Sequence, residues 1–203
     1  MKMDAREVMQ ALKANRGDAV VVTALGTASS QWWAATHCEE TMYMTGGMGF
    51  AASIALGIAL SLPDVPVWVL NSDGSLCMNL NCLLTEAEQA PKNLKHFVID
   101  NEVYQTLDKP MPMVNQRRTD YAAIAKASGF ANAVTIDDVA DLKKRLPEIV
   151  ATPGPYLTVL KVEPMIDYPA VPPYSYEGAE MKYRFSRNLE KKHGVTVFGP
   201  RGY

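Results

Sequence analysis

No stretch of this 203-residue chain is long and apolar enough to read as a membrane span. The longest mostly apolar run, residues 46–62, is diluted by glycine, alanine and serine and stops at Pro63. Charge of one sign is missing too: a net charge of −2 gives no electrostatic reason to expect a nucleic-acid partner. Cysteine is scarce. Cys38, Cys77 and Cys82 form an odd count without metal-ligand spacing, and Cys77 and Cys82 read as small buried hydrophobes. No basic-then-apolar segment opens the sequence. With reduced cysteines, this makes a cytoplasmic location the expectation. There is no phosphate loop of the G-x-x-x-x-G-K type, and Gly46-Gly47-x-Gly49 lacks the G-x-G-x-x-G spacing. His37, His96 and His193 are scattered and belong to no Ser/His/Asp or Cys/His set; His96 reads as structural, and His37 is a minor site candidate. Internal repeats and low-complexity segments are absent.

What is present fits a soluble globular chain of one domain or one domain with an appendage. Apolar residues make up 48% and charged residues 21%. Valine-rich runs of the doubly buried kind, at residues 19–25, 41–44, 67–70, 97–99, 133–136 and 156–162, alternate with helical patterns at 4–14, 31–36, 51–62, 78–90, 120–128 and 138–150. The class is therefore α/β, a three-layer sandwich around a largely parallel, doubly wound sheet of about six strands. That domain is expected over residues 1–163. Composition changes over 164–203, with Pro169, Pro172 and Pro173, a helix from Glu177 to Lys192 and a loose tail. The helix either covers its own sheet edge or clamps a partner. Adjacent Trp32 and Trp33 cannot share one helix face, so one is expected inside and the other at a pocket or partner.

The pattern that carries chemistry is strand, polar turn, helix, strand, polar turn. Residues 67–70 end in Asn71-Ser72-Asp73-Gly74-Ser75, and residues 97–99 end in Asp100-Asn101. Parallel strands bring both turns to one sheet edge, with Asp73 beside Asn101. A carboxylate, an amide oxygen and a backbone carbonyl are hard ligands suited to Mg²⁺ held together with a phosphate. Gly74 allows close approach of that phosphate. Upstream, the glycines of residues 45–50 precede a thin, alanine-rich helix; Met48 alone reads as a core gap-filler. Gly26-Thr27 follows the first strand as another ligand-type turn. The polar loop 105–119, with Lys109, Arg117 and Arg118, is long for a structureless connection.

The order G-G-M-G-F, S-D-G-S, helix, D-N-x-x-Y resembles the pyrophosphate-binding domain of thiamine diphosphate enzymes, whose signature runs from G-D-G-S to N-N. The similarity spans residues 20–162. It extends to the sulfopyruvate decarboxylase beta subunits and the matching half of phosphonopyruvate decarboxylases, through residues 42–57, Met78-Asn79-Leu80 and Arg184-Phe185.

The resemblance implies thiamine diphosphate and Mg²⁺ as cofactors. Asp73, Asn101 and the Val103 carbonyl match the metal ligands, and Gly74 and Ser75 match residues at the diphosphate. Met48 matches the apolar wedge beneath the bent cofactor, the Gly46 carbonyl would face the 4′-amino group, and Gly26 and Thr27 match a loop near the diphosphate or substrate. No catalytic residue is assigned on this chain. The activating glutamate is expected on a second subunit carrying the pyrimidine-binding domain, in an α2β2 or larger hetero-oligomer that decarboxylates a 2-oxo acid. A carboligase of the acetolactate synthase kind and a non-catalytic cofactor-binding or assembly subunit are the alternatives. Lys109, Arg117 and Arg118 are candidates for a substrate sulfonate or phosphonate. Two departures stand out. Ser72 replaces a glycine, which would restrict the turn if a positive φ were needed there. Asp100 replaces the first asparagine of N-N, unfavourable beside a diphosphate unless it points away.

Overall fold

Six parallel strands form one sheet in the computed structural model, which describes residues 2–105, 110–114, 118–165 and 178–199. They are β1 (Val20–Thr23), β2 (Thr41–Tyr43), β3 (Val67–Ser72), β4 (Leu94–Asp100), β7 (Asn132–Ile136) and β8 (Tyr156–Lys161), in the order β2-β1-β3-β4-β8-β7. Two short strands, β5 (Val103–Tyr104) and β6 (Met111–Pro112), pair antiparallel across the base of the long polar loop. The valine-rich strands are buried on both faces, as parallel sheets require: every residue of β1 and β4 is buried. Trp68 and Phe97 meet edge-on at 5.0 Å on the central strands.

Helices cover both faces. α1 (Ala5–Asn15), α2 (Thr27–Thr36) and α7 (Val139–Ala151) pack together on one side, α1 touching both of the others. α3 (Ala51–Ser61), α4 (Asp73–Met78), α5 (Cys82–Gln89) and α6 (Tyr121–Ala127) complete the three-layer sandwich. Asp4 and Asp138 cap α1 and α7, accepting from the N–H of Arg6 at 2.7 Å and Asp141 at 2.8 Å. Among the described residues no helix is long and apolar enough to cross a membrane.

Several expectations need correction. The helix expected at residues 31–36 begins at Thr27. The single helix expected at 78–90 is two, because the chain turns at residues 79–81. Both tryptophans are buried, Trp32 at 0% and Trp33 at 7% exposure. α2 is wedged between α1 and the sheet, so opposite helix faces are both covered. Trp32 Nε1 donates to Thr41 Oγ1 at 3.1 Å, while Trp33 packs edge-on against Tyr43 and His37. Of the cysteines, all free, Cys82 is buried but Cys77 is exposed. α8 (Gly178–His193) lies over the edge strand β2 and buries Met181, Phe185 and Leu189 in the main core. It covers its own sheet edge; Glu177, Pro169, Pro172 and Pro173 lie outside the described residues.

Asn93 joins three elements. Its Nδ2 donates to the carbonyls of Ala59 (3.1 Å), Leu62 (2.8 Å) and Val65 (2.8 Å), which closes the end of α3 and the turn into β3. Asn93→Ala leaves these carbonyls short of a donor and is expected to cost about 1–3 kcal/mol. The check is a lower denaturant midpoint at unchanged slope.

Candidate functional site

The strand order reverses at β1 and β3: the chain steps from β1 outward to β2, then returns to β3 on the other side. Loops leaving the carboxyl ends at such a switch point diverge and open a crevice. A small cavity of about 30 Å³ lies there. It is lined by Leu25, Thr27 and Ala28 after β1, by Ser72, Asp73, Gly74 and Ser75 after β3, by Ile99, Asn101, Val103, Tyr104 and Gln105 around the end of β4, and by Met48.

The turn after β3 is built by its own hydroxyls. Ser72 is extended (φ −109°, ψ 156°), so the feared need for a positive φ does not arise. It is instead the N-cap of α4, its Oγ accepting the Ser75 N–H at 3.2 Å. Ser75 Oγ in turn accepts the Gly49 N–H at 3.0 Å, and Asn79 Nδ2 donates to the Gly49 carbonyl at 2.8 Å. Gly49 has φ +93°, and an added Cβ would stand 2.9 Å from Asn79 Cβ, so glycine is required there. A Cβ on Gly74 would meet the Tyr104 ring at 2.6 Å. That ring therefore lies directly against the turn.

Asp73 is 2% exposed. One carboxylate oxygen accepts the Gly74 N–H at 2.8 Å and the other the Glu102 N–H at 2.6 Å. Glu102 takes the left-handed conformation (φ 63°), which turns its amide inward. Asn101 Oδ1 accepts the Val103 N–H at 3.0 Å, and Nδ2 donates to Gln105 Oε1 at 2.6 Å. Gln105 reaches on to the Met165 carbonyl.

The charges around this turn are unequally shared. Lys161 Nζ stands 2.6 Å from Asp100 and 3.4 Å from Glu102, and Lys2 pairs with Glu102 at 2.8 Å. Among the described residues no cation pairs with Asp73. Burial, then the neighbouring Asp100 carboxylate, pushes its carboxyl up to about 7. Asp100 thus pairs with Lys161, yet remains close enough to disfavour a bare charge on Asp73. Among the described residues no cluster of three His, Cys, Asp or Glu side chains could hold a metal. A cation here would need amide and carbonyl oxygens, and Asn101 Oδ1 and the Val103 carbonyl are donors of that kind beside the one carboxylate.

Of the residues singled out in the sequence, Thr27, Met48, Asp73, Gly74, Ser75, Asn101 and Val103 line this one cavity. Gly26 (φ 80°) caps α2 immediately before Thr27, where only glycine is comfortable. Gly46 is exposed in its loop and does not line the cavity. Arg118 is exposed, and Lys109 and Arg117 lie outside the described residues. His37 ends α2 at φ 42°, the opposite end of that helix from the cavity. Tyr104, Gln105 and Asn79 were missed as site residues. Tyr104 and Asn79 stood in the motifs as letters without a role, and nothing in the sequence singles out Gln105.

Residues 26–160 match the family described as thiamine pyrophosphate enzyme, C-terminal TPP binding domain. The chain belongs to this family. It is 35% identical over 147 residues to the phosphonopyruvate decarboxylase of Streptomyces viridochromogenes, covering 72% of this chain and 36% of that protein. It therefore spans about a third of that relative's length. It is 32% identical to the sulfopyruvate decarboxylase subunit beta of Methanothermobacter thermautotrophicus, covering 81% of this chain and 84% of that subunit. The benzoylformate decarboxylase structure from Polynucleobacter necessarius shares the fold, with a TM-score of 0.65 at 22% identity over 80% of this chain and 34% of that one.

The raised Asp73 carboxyl makes this TPP binding domain sensitive to pH. Its folded value lies above the ordinary 3.8, at about 7. The stability tied to the protonated form is therefore full below about pH 4 and is lost as pH rises through about 7. Without ligand, the melting temperature of the parent should fall more steeply between about pH 5 and pH 8 than that of Asp73→Asn. Equal slopes would contradict the assignment.

Proposed function

We propose that the chain is the thiamine diphosphate- and Mg²⁺-binding subunit of a two-chain 2-oxo acid decarboxylase of the sulfopyruvate or phosphonopyruvate kind. The observation that carries this reading is the buried Asp73 carboxylate at the switch point, set beside the Asn101 amide with no cationic partner among the described residues. A divalent cation would supply the missing positive charge and could hold a diphosphate beside it. Asp73, Asn101 Oδ1 and the Val103 carbonyl would hold the metal. Gly74 and Ser75, at the start of α4, would face the diphosphate, with the Tyr104 ring packed against the bare Cα of Gly74. Met48, half-buried on the cavity wall, would support the cofactor from the side of the Gly46 loop. Gly26 and Thr27 would flank the diphosphate or the substrate.

When bound, thiamine diphosphate supplies the carbanion-stabilising chemistry of decarboxylation, and the protein binds and orients it. This chain's part is to fix the metal–diphosphate end. The relative from Methanothermobacter thermautotrophicus is itself a subunit beta, which supports a division of the site between two chains. The second chain would carry the pyrimidine-binding domain and the activating glutamate, in an α2β2 or larger assembly. Residues 1–163 would form the cofactor domain and 164–203 an extension.

Calorimetric titration with thiamine diphosphate and Mg²⁺ tests the anchor. Asp73→Ala is expected to weaken Mg²⁺-dependent binding by at least about tenfold to a hundredfold, as loss of a metal-site group does. Unchanged binding would remove Asp73 from the site. Decarboxylation of a 2-oxo acid should require a second polypeptide, and full turnover by this chain alone would refute the split.

A further inference from the structure

A buried line of side chains runs from α5 to the turn that bears Asp73. Glu86 on α5 and His96 on β4 are both fully buried, with Glu86 Oε2 2.9 Å from His96 Nδ1. His96 Nε2 lies 3.2 Å from Nδ2 of Asn71, itself 1% exposed near the end of β3. Asn71 Oδ1 accepts the Ser72 N–H at 3.0 Å. From there the line continues through Ser72 Oγ to the Ser75 N–H, and through Ser75 Oγ to the Gly49 N–H.

The directions of these bonds are forced. A backbone N–H can only donate, so Asn71 must present its oxygen to Ser72 and its NH₂ to His96. His96 Nε2 must then accept, which leaves the ring proton on Nδ1, donated to Glu86. Were the proton on Nε2, the Asn71 amide would have to turn over and set its NH₂ against the Ser72 N–H. Glu86 selects the tautomer, the tautomer selects the amide orientation, and the amide holds the backbone one residue before Asp73.

Stability of the core does not explain the pair. A buried Glu–His contact is commonly no better than well-packed apolar side chains. The other Glu86 oxygen, Oε1, is buried without a partner among the described residues, a further cost. What two leucines could not do is orient Asn71. We propose that Glu86 and His96 are positioning residues, which set the Ser72–Ser75 turn through Asn71 in the arrangement that presents Asp73 to the cofactor's metal. This rests on the cofactor reading given above.

The test compares the full-length parent with Glu86→Leu/His96→Leu and with His96→Gln, whose amide oxygen can still accept from Asn71. Two readouts are used: backbone amide exchange of residues 71–76 without ligand, and calorimetric titration with Mg²⁺ and thiamine diphosphate, with any co-purifying partner retained. The double variant should keep its melting temperature, while its turn exchanges at least about tenfold faster and its cofactor affinity falls about tenfold. His96→Gln should stay within about twofold of the parent in both. Parent-like exchange and affinity in the double variant would overturn the proposal, as would loss of protection spread evenly over the sheet. If the double variant does not fold, His96→Gln against Asn71→Ala gives the same contrast: exchange raised about tenfold only in Asn71→Ala supports it, and equal exchange overturns it. If the parent binds no cofactor, the cofactor reading fails, and amide exchange still decides whether the pair positions the turn.

Discussion

The pairing of β3 with β4 places Ser72 opposite Ile99, so both strands end at the same level of the sheet. Everything distinctive about the site depends on that register. Asp73 can reach the Glu102 amide only because the two chains leave the sheet side by side. A slip by one residue would turn Asn71 to the face of the sheet away from His96 and break the line. The buried ladder of β1, β3 and β4 is thus the framework on which three separate loops meet.

That register also concentrates negative charge. Asp73, Asp100 and Glu102 all lie where β3 and β4 end, and the nearby lysines serve the latter two. Two carboxylates sharing a dry edge with one lysine disfavour full ionisation, and burial makes the effect larger. A fold without a ligand gains nothing from leaving Asp73 uncompensated. On the proposed reading a fold that binds a cation does, because the uncompensated carboxylate would favour the metal. The same argument accounts for Asp100 in place of an asparagine: Lys161 pairs with it, but the pairing does not insulate Asp73.

The class of the fold was legible because valine-rich runs and amphipathic stretches alternate with little ambiguity, and both faces of a parallel sheet must be covered. That Asp73 and Asn101 meet at one cavity was legible because parallel strands bring both polar turns to one sheet edge. Tertiary context decided the rest. Adjacent Trp32 and Trp33 mislead because a helix wedged between another helix and a sheet has two of its faces covered. Ser72 was judged on the conformation of glycine, whereas its hydroxyl caps α4 and makes an extended backbone sufficient. His96 read as structural, and it is fully buried on β4. Its link to Asp73 could not be read, since Glu86, His96 and Asn71 come together only through the packing of α5 on two strands.

The first N–H groups of α4 are taken up by neighbouring side chains. The Gly74 N–H is occupied by Asp73 and the Ser75 N–H by Ser72, while the Tyr104 ring closes over Gly74. On the proposed reading, Asp73 would hold the metal, and the start of α4 at Gly74 and Ser75 would face the diphosphate. The line of bonds from Glu86 to Gly49 ties the turn to the core at one end and to the glycine loop at the other, so both walls of the cleft are held by one set of contacts.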